Sequence, residues 1–177
     1  MMSMLDIKLM VLDVDGVLTN GELIIGNNGV EYKKFNVKDG MGISIGKYAG
    51  MKFAIITGRK SESVKIRAEE LKIDYVFQGI QDKKKILREL LSELDLDSKN
   101  ICYIGDDIND LPIMNMVGFP CAPRDAVHLV KKVASYTAQA KGGDGVVREV
   151  IEYILERNIN YNNLIEEYIN MKANMYQ

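Results

Sequence analysis

Four short apolar runs constrain this chain more than anything else in it: Leu9–Leu12, Phe53–Ile56, Tyr75–Phe77 and Ile101–Ile104. Each is too short for a helix and is bounded by polar residues or glycine. Such runs fit strands buried on both faces of a parallel sheet. The segments between them carry helical spacing. Lys38–Tyr48 sets Met41, Ile45 and Tyr48 on one side, and Ser61–Lys72 follows the second run. Asp82 can cap a helix from Lys83 to about Leu94, with Ile86, Leu87, Leu90, Leu91 and Leu94 inward. After the fourth run come a helix over Leu111–Val117 with Pro112 in its first turn, a strand over Phe119–Ala122 and a helix near Asp125–Lys132. Tyr136-Thr137 and a helix from Val146 to about Glu156 complete the alternation. Strand and helix alternate throughout, which predicts a Rossmann-like, doubly wound parallel α/β sheet.

One segment breaks the alternation. Gly21–Gly26 and Val30–Val37 flank Asn27-Asn28-Gly29, and an Asn-Gly step between β-prone runs is a strong hairpin signal. A β-hairpin over 21–37 is therefore expected after the first strand, as a flap beside the site or an assembly surface. No insertion is long enough for a cap domain. The main domain is expected over 1–157. The Asn-rich tail, 158–177, repeats Tyr161, Ile165, Tyr168 and Met175 at helical spacing.

At 177 residues one domain is expected, and a net charge of −2 gives no footing for nucleic acid or a membrane surface. No apolar run approaches the ~20 residues that span a bilayer, and no signal peptide is evident. Cys102 and Cys121 both lie in apolar stretches, which suits free buried thiols and a cytoplasmic location. His128 is the single histidine, which leaves little footing for a histidine metal site or a Ser-His triad.

The chemistry sits where the strands stop. In an open α/β sheet, ligands bind at the carboxyl ends of the strands. There this chain has Asp13 and Asp15, then Thr57-Gly58-Arg59, then Lys83 just beyond a strand, then Asp106-Asp107 with Asp110. In extended chain, residues two apart point to one side, so Asp13 and Asp15 need a cation, a donor or a proton between them. Carboxylates with a hydroxyl and a lysine suit a hard cation and a phosphate. Oxygen ligands favour Mg²⁺, which keeps waters and a substrate phosphate in its shell. Thr57, the Gly58 amide and Lys83 can hold phosphoryl oxygens.

In this order, Asp13-Val14-Asp15-Gly16-Val17, Ile56-Thr57-Gly58-Arg59, Lys83 and Gly105-Asp106-Asp107-Ile108-Asn109-Asp110 resemble the four motifs of the haloacid dehalogenase superfamily. More narrowly, Asp15–Thr19, Phe35–Gly40, Phe77-Gln78-Gly79 and Gly142–Glu149 resemble the 3-deoxy-D-manno-octulosonate 8-phosphate phosphatases of that superfamily, which lack a cap. The resemblance spans about Lys8 to Leu155. It implies a hydrolase acting on a sugar-acid phosphate of lipopolysaccharide biosynthesis, with nonulosonate 9-phosphates as the neighbouring substrate class. It implies Asp13 as nucleophile and Asp15 as general acid and base. Asp13, the Asp15 backbone carbonyl and Asp106 would bind Mg²⁺, with Asp107 and Asp110 orienting the metal shell or Lys83. Arg59, Arg67 and Arg148 are the candidates for the substrate carboxylate, and Arg148 is preferred because a glycine-rich loop leads into it. A homotetramer in which neighbours close the site is implied as well.

Other classes fit less well. A phosphoacceptor signalling domain would place its acceptor where this chain has Thr57-Gly58-Arg59, and it lacks the late Gly-Asp-Asp. An Asp-x-Asp glycosyltransferase needs a longer chain. A phosphomutase needs a cap to exclude water.

Overall fold

The computed structural model describes residues 5–174. β1 (Leu9–Leu12) leads to a hairpin of β2 (Ile24–Ile25) and β3 (Glu31–Tyr32). Then follow α1 (Val37–Tyr48), β4 (Lys52–Thr57), α2 (Glu62–Glu70), β5 (Tyr75–Gln78), α3 (Lys83–Leu94), β6 (Ile101–Ile104) and α4 (Leu111–Met114). β7 (Phe119–Ala122), α5 (His128–Val133), β8 (Tyr136–Thr137), α6 (Val146–Asn158) and α7 (Tyr161–Asn174) complete the chain. Six strands form one parallel sheet in the order β5-β4-β1-β6-β7-β8. This is the expected doubly wound α/β fold, and no cap domain stands among the described residues.

β1 lies between β4 and β6 and feeds both cores. Met10 and Leu12 pack with α1, α2 and α6, whereas Leu9 and Val11 pack with α3, α4 and α5. All four are fully buried. Burial of each such side chain stabilises the fold by about 1.5–3 kcal/mol. The chain order along the sheet reverses around β1, and that reversal opens the crevice where doubly wound sheets bind ligands.

α1 departs from its expected face. Its buried side is Asp39, Gly40, Gly42, Ile43, Ile45 and Gly46, while Met41 is 49% exposed. A Cβ on Gly42 would lie 2.8 Å from the Arg148 Cα, and one on Gly46 would lie 2.7 Å from the Phe53 ring. Close approach without side chains joins α1 to α6, and apolar periodicity does not register glycine. Met41 and Tyr48 face α7 instead, where Tyr168 stacks edge-on against Tyr48 and meets the Ser44 hydroxyl at 2.8 Å.

Two helices are shorter than their spacing suggests. α4 stops at Met114, because Gly118 donates to the Ser98 carbonyl at 2.8 Å and draws the chain towards β7. α5 starts at His128, because Asp125 accepts from the Gly142 amide at 3.0 Å and the Val127 amide is bound to the Asp106 carbonyl. The hairpin turn also differs in type. The Gly29 amide bonds the Gly26 carbonyl, the Gly26 amide bonds the Val30 carbonyl, and only Gly29 takes a positive φ of 76°. That is a type I turn with a glycine bulge rather than a two-residue turn. The tail is helical from Tyr161 to Asn174, and Met175 lies outside the described residues.

Candidate active site

β1 ends at Asp13, which is 5% exposed. Its Oδ1 accepts from the Val14 amide at 2.7 Å, and its Oδ2 lies 2.7 Å from Lys83 Nζ. The next residues wind into a tight turn, Val14–Leu18, in which Gly16 takes a φ of 85°. Only glycine serves there. A Cβ on Gly16 would fall 2.0 Å from an Asp106 carboxylate oxygen, and L side chains disfavour that φ. The turn therefore lays the Asp13–Gly16 backbone against the acidic loop after β6.

That loop is organised by Asp110, which is fully buried. Its Oδ1 meets Lys83 Nζ and the Tyr103 hydroxyl, both at 2.6 Å. Its Oδ2 accepts from the Asp106 amide at 2.9 Å and the Asp107 amide at 3.3 Å. Both oxygens are thus engaged in holding Lys83 and the loop. Asp107 caps the short turn Ile108–Asp110 through the Ile108 amide and stays exposed at the pocket rim.

Electrostatics follow from this crowding. Burial first, then the Asp110 carboxylate, push Asp13 up to about 6, against the pull of Lys83. Burial, Asp110 and Asp13 push Asp106 up to about 7. Burial draws the Lys83 ammonium down, but Asp13 and Asp110 outweigh it and hold it above the ordinary lysine range. Burial and Asp110 raise the Tyr103 hydroxyl far above the usual tyrosine value, so it remains a donor. Oxygens of Asp13, Asp106 and Asp110 lie within 4.8 Å of one another. Such a cluster of carboxylates, raised by mutual repulsion and backed by one lysine, fits a hard divalent cation. Asp13 and Asp106 line the pocket and can ligate it, whereas Asp110 is fully buried beneath them with two partners on each oxygen.

The pocket over these groups measures about 240 Å³ and is lined by Asp13, Asp15, Thr57, Gly58, Arg59 and Asp106, among others. Thr57 closes β4 with its side chain buried. Lys83 opens α3 as its first residue, behind the Asp82 cap that accepts from the Lys85 amide. Of the three arginines, only Arg59 reaches this pocket. Arg67 lies in a groove between α1, α2 and α7 and pairs with Glu70 at 2.6 Å. Arg148 extends over Gly42 towards Glu152 at 2.6 Å and the Tyr161 hydroxyl at 3.2 Å. The glycine-rich loop does approach the site, but Arg148 lies on the first turn of α6, and that face packs on α1. Within one chain, therefore, neither Arg67 nor Arg148 meets the pocket.

Three participants went unread in the sequence. Lys33 and Glu31, from the second arm of the hairpin, fold over Asp15. Lys33 pairs with the Asp15 Oδ1 and with Glu31 at 2.9 Å, and Arg59 pairs with Glu31. Tyr103, in the middle of β6, buries its hydroxyl on Asp110. The alternation Glu31-x-Lys33, which puts both on one side of a strand, was the available signal for the first two. Tyr103 had none beyond being the polar member of an apolar run.

A doubly wound sheet whose first strand ends in an aspartate pair, with a threonine, a lysine and a second acidic loop on the same edge, defines a phosphoric monoester hydrolase of the haloacid dehalogenase type. The model of haloacid dehalogenase-like hydrolases matches residues 76–150. The 3-deoxy-D-manno-octulosonate 8-phosphate phosphatase of Escherichia coli (strain K12) is 43% identical over 150 residues, covering 85% of this chain and 80% of its own. The chain belongs to that phosphatase family within the haloacid dehalogenase superfamily. The Moraxella catarrhalis phosphatase, solved in complex with magnesium ion, phosphate ion and a KDO molecule, matches at a TM-score of 0.89 and 38% identity, over 93% of this chain and 94% of its own. The cobalt-bound Haemophilus influenzae phosphatase matches at 0.83 and 35% identity, over 86% and 89%.

Proposed function

We propose that this protein is a Mg²⁺-dependent phosphatase that removes the terminal phosphate of a 2-keto-3-deoxy sugar acid, 3-deoxy-D-manno-octulosonate 8-phosphate, through an aspartyl phosphate on Asp13. The observation that carries the reading is the Asp13 carboxylate, buried on the pocket side of β1 and held 2.7 Å from Lys83. A nucleophile fixed beside a cation can attack phosphorus in line, and the bond to the sugar oxygen breaks as the bond to Asp13 forms. Asp15 gives its proton to the leaving oxygen and then takes one from the water that hydrolyses the phosphoenzyme. Thr57, the Gly58 amide and Lys83 hold the transferring group in this scheme. Asp13, the Asp15 carbonyl and Asp106 would hold Mg²⁺, and Asp110 holds Lys83 and the loop. The cation, when bound, would neutralise charge among the carboxylates and the phosphoryl oxygens.

A pocket of about 240 Å³ is smaller than the roughly 300–1,000 Å³ of ordinary ligand sites, so it suits the phosphate end and leaves the sugar acid to be gripped elsewhere. The hairpin exposes Leu23, Ile24 and Ile25 at 51%, 51% and 63%. An apolar strip of this kind calls for a partner surface. The reading is a homotetramer with hairpins packed between subunits, and neighbours walling the sugar acid. Arg59 is the in-chain candidate for the carboxylate, and Arg67 and Arg148 are the candidates a neighbour's site would use. The free, buried thiols of Cys102 and Cys121 support a cytoplasmic setting.

The test is phosphate release with Mg²⁺ over a panel of sugar-acid phosphates. Highest kcat/KM on 3-deoxy-D-manno-octulosonate 8-phosphate is expected. A preference for a nonulosonate 9-phosphate would move the assignment to the sialic-acid type, and no release from any of them would end it.

A further inference from the structure

The Asp15 side chain is oriented by residues that lie far from it in sequence. Its Oδ1 accepts from the Lys33 ammonium, which the hairpin brings across the site. Its Oδ2 lies 3.7 Å from Arg59 Nε, beyond hydrogen-bond length. One oxygen is therefore tied, and the other makes no hydrogen bond among the described residues. The Lys33 side chain is only 2% exposed. A buried ammonium is costly unless it is paired, and here two carboxylates, Asp15 and Glu31, flank it. A lysine serving only to pin the hairpin could have kept to Glu31 at the surface.

We propose that Lys33 is a positioning residue for Asp15: it fixes the rotamer from which the general acid reaches the leaving oxygen, and so makes the hairpin part of the catalytic apparatus of its own chain. The inference rests on the phosphatase reading above. Acid and base groups act only within a narrow range of distance and angle, so a slack Asp15 loses most of its effect without changing its chemistry. The signature is dependence on the leaving group. An alkyl or sugar oxygen needs a proton to depart, whereas a nitrophenolate does not.

The experiment compares kcat/KM, which reports phosphoenzyme formation, for a sugar phosphate and for p-nitrophenyl phosphate. Lys33→Met is expected to lower the first at least tenfold and the second less than threefold. Lys33→Arg, which keeps a charged donor, is expected to recover most of the loss. In an Asp15→Asn background Lys33→Met should cost the sugar phosphate nothing more, because nothing remains to be positioned. If Lys33→Met does not fold by circular dichroism, Lys33→Gln carries the same comparison. Equal loss on both substrates, or a full additional loss on top of Asp15→Asn, would overturn the inference and leave the phosphatase reading standing. Failure of the wild-type protein to hydrolyse either substrate would overturn both.

Discussion

Gly142 presses on Gly16: a Cβ at Gly142 would come within 2.0 Å of the Gly16 carbonyl oxygen. The contact is backbone to backbone, and the Gly143 amide beside it donates to the Val17 carbonyl at 2.8 Å. The loop that starts α6 thus braces the turn that carries Asp15 and Gly16. Gly142→Ala is expected to lower activity more than tenfold and to destabilise by about 1–3 kcal/mol, the usual range for overpacking. Thermal unfolding beside a phosphatase assay checks both. A variant with wild-type activity would show that the brace has slack.

Asp13→Asn preserves size and removes the attacking charge. Turnover is expected to vanish while the circular dichroism spectrum is unchanged. Activity within tenfold of wild type would remove Asp13 from the nucleophile's place.

Asp106 carries the carboxylate that burial and its neighbours raise to about 7. Asp106→Ala relieves that repulsion but removes a ligand. It is expected to need a far higher Mg²⁺ concentration for half-maximal activity. The check is a Mg²⁺ titration after chelation, and full wild-type activity without added metal would contradict the metal assignment.

Asp39 offers a pH-dependent stability. It is 2% exposed and accepts from the Arg148 amide at 3.0 Å, beneath the start of α6. Burial raises it to about 6 from an ordinary 3.8. The folded protein therefore binds this proton more tightly than the unfolded chain does. Its contribution is full below pH 4 and is lost as pH rises towards 6, a span of roughly 3 kcal/mol at most. Asp39→Asn keeps an acceptor for the amide and does not titrate. Relative to wild type, the variant is expected to gain stability between pH 4 and pH 7. Melting temperatures measured across that range test this, and parallel curves would show that Asp39 does not titrate there.

Ile24→Glu charges the exposed strip of the hairpin. It is expected to dissociate the assembly and to reduce sugar-acid turnover more than aryl phosphate turnover, since the aryl ester needs no remote grip. Light scattering with both assays decides. A wild-type monomer with full sugar-acid activity would refute the tetramer.

What the sequence determined by itself was the sheet and its working edge. Apolar runs as short as Leu9–Leu12 have one way to bury both faces, and the residues that end them must then share one side of the sheet. Asp13, Thr57, Lys83 and Asp106 could be grouped for that reason, without coordinates. The short-range order of the tail was legible too, since Tyr161, Ile165 and Tyr168 repeat at helical spacing. Only the tertiary structure decided which arginine enters the pocket, because Arg59, Arg67 and Arg148 all follow plausible motifs and differ only in the face their elements bury. It alone showed that α1 packs through glycines, since a missing side chain leaves no mark in a hydrophobic pattern. It alone brought Lys33 to Asp15. Their pairing depends on how a hairpin folds back across the sheet edge, and that geometry is set by long-range packing rather than by any local run of residues.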